Sequence, residues 1–381
     1  MEAPPGFPMF NDGDVRIHIQ PDVFQLHSFM LSGCSRALGR LVGPYYAMGP
    51  LPHLQGLNHL GIREINLVGS AAHKYGVFQI REPNNVGNDA TGFFNLGVFP
   101  AWPSKTRQCW RNIFKIVYNI EPDLRDIHGN LLLLEQSNKL IELAEDIEAT
   151  GVVFPALDKA LLGYDQELFH RIANDPIGWV KLGTRIRSVD IFHESIVHMV
   201  GRWNCLTEEG YRAMPEYIRG LCMGKQVDLD TRKKAIDAQI LNYRFGVPQA
   251  PRIRDVYSWM ALAVYRQWMG QSITEGLNHY ALDGGAMFYR ALNVSGTAYM
   301  ESIDETLAHM LAPIDEAEVH IITARLTELK NDIKQFVGEL LINRSRYDPG
   351  TWGELPYLTC CKLYYEDFPW FVAPGSHPEL S

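Results

Sequence analysis

Two short alternating segments near the start of the chain, followed by long stretches of helical periodicity, constrain the fold most. Asp14 to Ile19 alternates apolar and polar residues, and Val23 to Leu26 does so again after a Pro21-Asp22 turn. A period of two is typical of a strand that buries one face, so the pair predicts a β-hairpin. From Trp110 onward, apolar residues recur every three or four positions, as on one face of a helix. The sequence therefore predicts an α+β protein with a small N-terminal sheet and a mostly α-helical remainder.

Further elements follow from the same patterns. Short apolar runs predict strands at Ile65–Val68 and Val77–Ile80, within an otherwise irregular stretch at about 40–105 that is rich in Gly, Pro and Asn. Amphipathic patterns predict helices over 131–149, 152–162, 232–243 and 317–341, and the segment 256–269, which is rich in aromatic residues, is expected to be helical too. The aromatic residues of 256–269 are expected in a helix core rather than on a platform for stacking nucleic-acid bases.

Composition excludes several classes of protein. Of 381 residues, 46% are hydrophobic and 21% are charged, which is the mixture of a folded domain rather than of a disordered or fibrous chain. The 35 Lys and Arg against 44 Asp and Glu give a net charge of −9, so we expect no direct nucleic-acid partner and no membrane surface as partner. The first residues lack the pattern of a secretory signal, which favours an intracellular location, cytoplasmic or nuclear.

The motifs that usually carry chemistry are missing from the sequence. Its six cysteines include no C-x-x-C pair, and His193 and His198 are five residues apart, whereas a zinc-binding helix places two His four apart. There is no phosphate-binding Gly-Lys-Ser/Thr loop and no Gly-x-Ser-x-Gly elbow. We therefore predict that the chain is not an enzyme and has no catalytic residues, no cofactor and no metal site.

The order of the elements resembles a known family. Asp14-Val15-x-Ile17-x-Ile19, then Phe24-x-Leu26-His27-Ser28-x-x-Leu31, is similar to the opening of a BTB/POZ domain. Ile113 to Asn119 resembles a later helix of that domain, and Leu140 to Ile147 resembles its closing helix pair. The helical hairpin at 178–203 is similar to the start of a BACK-type extension. The chain is thus interpreted as a divergent BTB/POZ protein of the type common in fungi.

The resemblance implies a protein–protein interaction scaffold. It implies homodimerisation through Asp14, Val15, Ile17, His27, Phe29 and Leu31, although a carboxylate and an imidazole beside apolar strands are also ordinary hydrogen-bonded core groups. It further implies that the chain is a cullin-3 ubiquitin-ligase adaptor, with a cullin contact around Phe114, Tyr118, Leu140 and Ile147. The C-terminal region would then select an unknown protein client.

The resemblance also divides the chain. Residues 1–12 are expected to be a flexible lead-in, 13–165 a BTB/POZ-like domain with a long irregular insertion at about 40–105, 166–206 a BACK-like helical hairpin, and 207–381 a helical C-terminal region with an aromatic-rich tail.

Two alternative functions stay open. The first is a transcription or chromatin cofactor that uses the same dimer. The second is a helical small-ligand-binding protein or enzyme with its site in 207–381.

Overall fold

The structure is a computed structural model of the chain. It describes residues 6–42, 62–80, 101–126, 128–244, 256–274, 281–294, 300 and 315–371. The chain forms two compact units, one of Met1–Leu168 with Arg185–Arg187, the other of Phe169–Thr184 with Ser188–Ser381. The predicted α+β class is confirmed at this level, with a small N-terminal sheet and a mostly helical remainder.

The sheet of the first unit has four strands in the order β2-β1-β3-β4. These are β1 (Val15–Ile19), β2 (Asp22–Leu26), β3 (Arg63–Val68) and β4 (Val77–Ile80). Strand β1 pairs antiparallel with β2 and parallel with β3, and β3 pairs antiparallel with β4. All four strands lie where the alternating and apolar runs predicted them. The described part of the irregular stretch at about 40–105 therefore completes the sheet, and residues 43–61 and 81–100 lie outside the described residues.

The two faces of the sheet differ as the alternation requires. Val15, Ile17 and Ile19 are at most 1% exposed and belong to the core of the unit. On the opposite face, Arg16 Nη1 donates to Glu64 Oε1 at 3.0 Å, a pair of residues that face each other in the parallel register of β1 and β3. Cross-strand pairs of opposite charge add modestly to sheet stability.

Among the described residues, five helices lie wholly in the first unit. They are α1 (Ser28–Cys34), α2 (Arg36–Val42), α3 (Ser104–Val117), α4 (Leu133–Asp146) and α5 (Thr150–Leu162). Helix α3 buries a stripe that includes Trp110, Ile113 and Phe114, as its periodicity predicts. Helix α5 carries Pro155 at its sixth position, later than the first turn where proline fits without loss of a hydrogen bond.

Residues 6–12 pack onto the first unit. The Phe7 side chain is 6% exposed, and its ring meets that of Phe24 edge-on with centroids 5.2 Å apart. The Phe10 ring stacks on Tyr118 with centroids 4.2 Å apart. These residues belong to the expected flexible lead-in at 1–12, and their aromatic side chains hold them in place; residues 1–5 lie outside the described residues.

The second unit is helical among its described residues. Helix α6 (Gln166–Asn174) leads into it, followed by α7 (Pro176–Ile186), α8 (Val189–Gly201), α9 (Glu208–Ala213), α10 (Glu216–Asn242), α11 (Val256–Thr274), α12 (Ala286–Asn293), α13 (Glu316–Val337) and α14 (Pro349–Trp352). Short 3-10 helices occur at Trp203–Cys205, Gly338–Leu341 and Tyr365–Asp367. In the described parts of the chain, no helix combines the length and the apolar character needed to cross a bilayer.

Candidate protein-interaction site

Helices α11, α12 and α13 pack into one helical group. Their buried residues share a single apolar core, which includes Leu262, Tyr265 and Met269 of α11, Tyr289 and Leu292 of α12, and Ile322, Leu326, Leu329 and Ile333 of α13. The spacing of three and four within each helix places these side chains on one face. The group is therefore held together mainly by apolar burial.

Hydrogen bonds and one aromatic contact fix how the three helices pack against each other. Tyr257 Oη of α11 donates to Glu318 Oε1 in the first turn of α13 at 3.1 Å. The Trp268 ring of α11 stacks on Phe288 of α12 with centroids 6.0 Å apart. Helix α13 begins with a capping box, in which the side chains of Asp315 and Glu318 each accept a hydrogen bond from the backbone N–H of the other residue. The capping box thus sets the residue at which α13 begins, and the Tyr257 hydrogen bond holds that end of α13 against α11.

Helix α10 contributes to the same group. Tyr243 Oη, just after the end of α10, donates to Asp332 Oδ2 of α13 at 2.7 Å. Burial, together with this hydrogen bond to Asp332, raises the pKa of Tyr243 to about 12. Tyr289 Oη of α12 donates to Asp237 Oδ1 of α10 at 3.1 Å. Burial raises the pKa of Asp237 to about 6, against the lowering effect of the Tyr289 bond.

The chain that follows α14 is hydrogen-bonded to α12 through Arg290. Arg290 Nη1 donates to the Leu355 carbonyl oxygen at 2.7 Å, and Nη2 donates to the Tyr357 carbonyl oxygen at 3.1 Å. A guanidinium that satisfies two backbone carbonyls fixes a segment without regular structure, because each carbonyl keeps a partner. Helices α11 to α13 are thus continuous with α10 and with the C-terminal segment of the same unit.

The outer side of α11 carries exposed apolar residues. Trp259 is 61% exposed and Val256 is 58% exposed. Trp259 precedes the fully buried Ala261 by two residues, about 200° around a helix, so it points away from the shared core. Exposed tryptophan is uncommon on a helix that already buries another face, and tryptophan is enriched at the energetic centres of protein interfaces. This outer face of α11, defined by Val256 and Trp259, is the candidate interaction site.

The residues expected at a dimer interface have different environments. Val15, Ile17 and Leu31 are buried in the core of the first unit, and Phe29 is 82% exposed. Asp14 accepts hydrogen bonds from the backbone N–H of Ser28, at 2.7 Å, and from its hydroxyl, at the start of α1. His27 Nδ1 lies 2.9 Å from Tyr118 Oη. The carboxylate and the imidazole thus serve as hydrogen-bonded structural groups in the described unit.

The residues expected at a cullin contact lie mostly inside the first unit. Phe114 and Leu140 are fully buried, and Ile147 is 7% exposed. Tyr118 is partly exposed, and its hydroxyl accepts a hydrogen bond from the His27 backbone N–H at 2.8 Å. Burial raises the pKa of Tyr118 to about 12. These side chains support the fold of the unit through packing.

One buried polar cluster in the second unit has the residue types of a catalytic triad. Glu194 Oε1 lies 2.9 Å from His198 Nε2, and the Ser345 hydroxyl donates to the same carboxylate oxygen. The other imidazole nitrogen lies 3.0 Å from Tyr357 Oη. Glu194 and His198 are both fully buried, and Ser345 is partly exposed. Among the described residues, no group of three or more His, Cys, Asp or Glu is placed to hold a metal ion.

Comparison with known proteins gives one match. A family model described as an FF domain, in a fungal version, matches residues 246–339. The match covers α11, α12 and α13 and the chain between them. No curated protein and no solved structure matches the chain.

The match corrects the resemblance drawn from the sequence. The family found is the FF domain and not BTB/POZ, so the BTB/POZ interpretation is wrong. The homodimer formed through that domain, the cullin-3 adaptor and the BTB-based cofactor are wrong with it, and the ligand-binding or enzymatic alternative fits no better. The quoted motifs were a strand pair and short amphipathic stretches, which many folds share because they encode only which faces are buried.

The outward direction of Trp259 is a feature of α11 that the spacing of its aromatic residues could have indicated. Helices are predicted over 256–269 and 317–341, where α11 and α13 lie, but the aromatic residues of 256–269 are all expected in the core. Tyr265 is 1% exposed as expected, whereas Trp259 faces outward. The spacing could have separated them, because Trp259 and Tyr265 are six residues apart, about 120° around a helix.

Proposed function

We propose that the FF-matching segment at 246–339 makes this chain a protein-binding protein, and that the outer face of α11 is its contact surface. FF domains are typically protein–protein interaction modules. The observation that carries the proposal is the position of Trp259, 61% exposed and directed away from the core that α11 shares with α12 and α13. Large aromatic side chains at the centre of an interface commonly supply about 2 kcal/mol or more of binding free energy.

The charge of the segment bears on the kind of partner. Residues 246–339 contain seven Lys and Arg and twelve Asp and Glu, so the segment carries more than half of the net charge of −9 of the whole chain. Some FF domains bind the phosphorylated polymerase. An acidic segment repels a phosphorylated peptide on average, so a partner of neutral or basic charge fits this segment better.

We also propose that the chain is not an enzyme. The support comes from Glu194, His198 and Ser345, the residues that most resemble catalytic machinery. The Glu194 carboxylate in this cluster is engaged in hydrogen bonds that hold the fold together. Glu194 accepts hydrogen bonds from the backbone N–H groups of Arg346 and Tyr347, at 2.9 and 3.3 Å, besides its contacts with His198 and Ser345. A carboxylate with this many donors acts as an anchor for the chain at 345–347, because its lone pairs are already occupied.

The test compares two full-length variants that each remove an exposed apolar side chain. Trp259→Ala changes the candidate face, and Met223→Ala changes α10, where Met223 is 47% exposed and lies outside the FF-matching segment. Proteins retained by each tagged chain are quantified by mass spectrometry against the wild-type chain. We expect at least one partner to fall about tenfold or more with Trp259→Ala and to stay unchanged with Met223→Ala, since about 1.4 kcal/mol corresponds to a factor of ten.

Two controls make the result decisive. Both variants must melt within about a degree of the wild type, which an exposed side chain predicts. A synthetic peptide from the polymerase tail, with and without phosphate, is then titrated against the wild-type chain by fluorescence anisotropy. Equal recovery of every partner by all three chains would overturn the assignment of the α11 face, and tighter binding of the phosphorylated peptide would overturn the argument from charge.

A further inference from the structure

Residues 7–12 lie in a groove of the first unit that is lined by aromatic rings. The Phe7 side chain is 6% exposed, and its ring meets those of Phe24 and Tyr118 edge-on, with centroids 5.2 and 6.3 Å away. The Phe10 ring stacks on Tyr118 with centroids 4.2 Å apart, and its centroid lies 5.5 Å from that of His27. Phe24, His27 and Tyr118 form this surface, the aromatic groove, and two phenylalanines three positions apart fill it.

Among the described residues, few polar contacts hold this segment on the aromatic groove. Residues 7–12 contain no helix or strand. Asp12 Oδ1 lies 3.3 Å from His27 Nε2, but the Asp12 side chain is 85% exposed, and exposed ion pairs contribute little to stability. Gln25 Nε2 donates to the Asn11 carbonyl oxygen at 3.2 Å. Because the segment depends mainly on its two rings, it should detach without unfolding the rest of the unit.

The walls of the aromatic groove are fixed by contacts that do not involve the segment. The Tyr118 hydroxyl accepts a hydrogen bond from the His27 backbone N–H at 2.8 Å and lies 2.9 Å from His27 Nδ1. The Phe24 ring meets that of Phe114, which is fully buried, with centroids 5.0 Å apart. The groove should therefore keep its shape when the segment leaves, as most binding sites do.

His27 forms the polar end of the aromatic groove. Its Nδ1 atom is directed to Tyr118, whereas Nε2 faces the Asp12 carboxylate. The nearby Asp14 carboxylate accepts hydrogen bonds from the backbone N–H and the hydroxyl of Ser28, so it is engaged at the start of α1. The imidazole thus offers one nitrogen to a carboxylate that enters with the two aromatic rings.

We propose that residues 7–12 are a displaceable cover, and that the aromatic groove binds a protein segment of the same chemistry. Such a segment has two large aromatic side chains three residues apart and an acidic residue two positions later, as Phe7, Phe10 and Asp12 do. The attached cover competes at an effective concentration that is commonly millimolar, so an external segment binds weakly until the cover is released. The aromatic groove lies in the first unit and α11 in the second, so this inference does not depend on the proposed function.

The test measures the binding of a fluorescein-labelled peptide of residues 6–13 to full-length chains by fluorescence anisotropy. In the variant that combines Phe7→Ser and Phe10→Ser, the cover has lost both rings and the groove is open. Met9→Ser, which changes a 52% exposed side chain of the same segment, is the matched control. We expect the peptide to bind the double variant at least about tenfold more tightly than the wild type or Met9→Ser, because the attached cover no longer competes. A peptide with serine in place of both phenylalanines should not bind.

Three results of the titration would overturn the proposal: equal binding of the peptide to all three chains, no binding to a folded double variant, or equal binding of the serine peptide. A wild-type dimer in light scattering that the double variant does not form would also overturn it, since a second copy would then supply the cover. Hydrogen exchange of the wild-type chain decides the question even if the double variant does not fold. We expect the amides of residues 7–12 to exchange faster than those of β1, and equally slow exchange would show that the segment does not detach.

Discussion

Glu194 and His198, one turn apart on α8, lie 2.9 Å from each other (Oε1 to Nε2), and both side chains are fully buried. The same carboxylate accepts the Ser345 hydroxyl and two backbone N–H groups of residues 346 and 347. A single carboxylate thus joins α8 to a segment about 150 residues later in the chain. Buried polar groups that are fully hydrogen-bonded specify one arrangement of the segments they join.

Replacing Glu194 should therefore destabilise the second unit. We expect Glu194→Ala to lower the free energy of unfolding by about 3–5 kcal/mol, because it removes the acceptor of His198, of the Ser345 hydroxyl and of the Arg346 backbone N–H. Glu194→Gln keeps one oxygen and should lose less. Urea unfolding followed by tryptophan fluorescence measures both, with Glu208→Gln on the exposed α9 as the control, since Glu208 is exposed and pairs with Arg212 of the same helix. A Glu194→Ala protein as stable as the control would contradict the role of Glu194 in holding residues 345–347 against α8.

The same carboxyl group should make the unit sensitive to acid. Burial by itself raises the pKa of Glu194, but the hydrogen bonds from His198, Ser345 and Arg346 outweigh it and hold the pKa below its usual range. A carboxyl with a lowered folded-state pKa stabilises the fold above its unfolded pKa, near 4.3, and this contribution is lost as pH falls toward the folded value. Between pH 6 and pH 3, we expect the urea midpoint to fall more for the wild type than for Glu194→Gln, and parallel curves would refute this.

Gly201, the last residue of α8, lies against the C-terminal segment. A Cβ atom at this position would be 2.5 Å from both the Leu358 carbonyl oxygen and Tyr357 Cδ2. We expect Gly201→Ala to lower the free energy of unfolding by about 1–3 kcal/mol, because backbone would have to move. Gly220→Ala on α10 is the matched control, since nothing among the described residues lies within 4 Å of its added Cβ. That variant should gain up to about 1 kcal/mol from helix propensity. Equal melting temperatures for the two variants would show that the segment does not press on Gly201.

The FF-matching segment should not fold by itself. Its helices are held by Asp237 of α10, by Tyr243 just after α10, and by the carbonyl oxygens of Leu355 and Tyr357, all outside residues 246–339. We expect a fragment of residues 246–339 to unfold without cooperativity, whereas one of residues 169–381, which spans the second unit and includes residues 185–187, should show a cooperative transition. Circular dichroism during heating distinguishes them, and a sharp transition in the shorter fragment would show that the segment is autonomous.

The sequence predicted the elements whose burial follows one period. Strands β1 and β2 and helix α13 were located from periodicity, because their buried residues recur at a regular spacing, whereas β3 and β4 were located from short apolar runs. Helix α10 runs over Glu216–Asn242, yet only 232–243 was predicted. Its buried face includes Gln226 and Lys233, polar residues that interrupt the apolar pattern. The contact of Glu194 with Ser345 had no local signal, since the two residues are 151 positions apart.

The Asp237 carboxyl group should make the free energy of unfolding depend on pH with a sign opposite to that expected for Glu194. Its pKa is raised to about 6 by burial, although the Tyr289 hydrogen bond and the charge of Lys233 lower it. A carboxyl with a raised folded-state pKa costs stability as pH rises from its unfolded pKa, near 3.9, through the folded value. The wild-type chain should thus lose part of its stability between about pH 4 and pH 7. Asp237→Asn keeps an oxygen for Tyr289 and removes the titration, so its free energy of unfolding should change less over this range and equal or exceed that of the wild type at pH 7.5. Urea unfolding at both pH values tests this, and a variant less stable than the wild type at pH 7.5 would show that the charged carboxylate is stabilised in the fold.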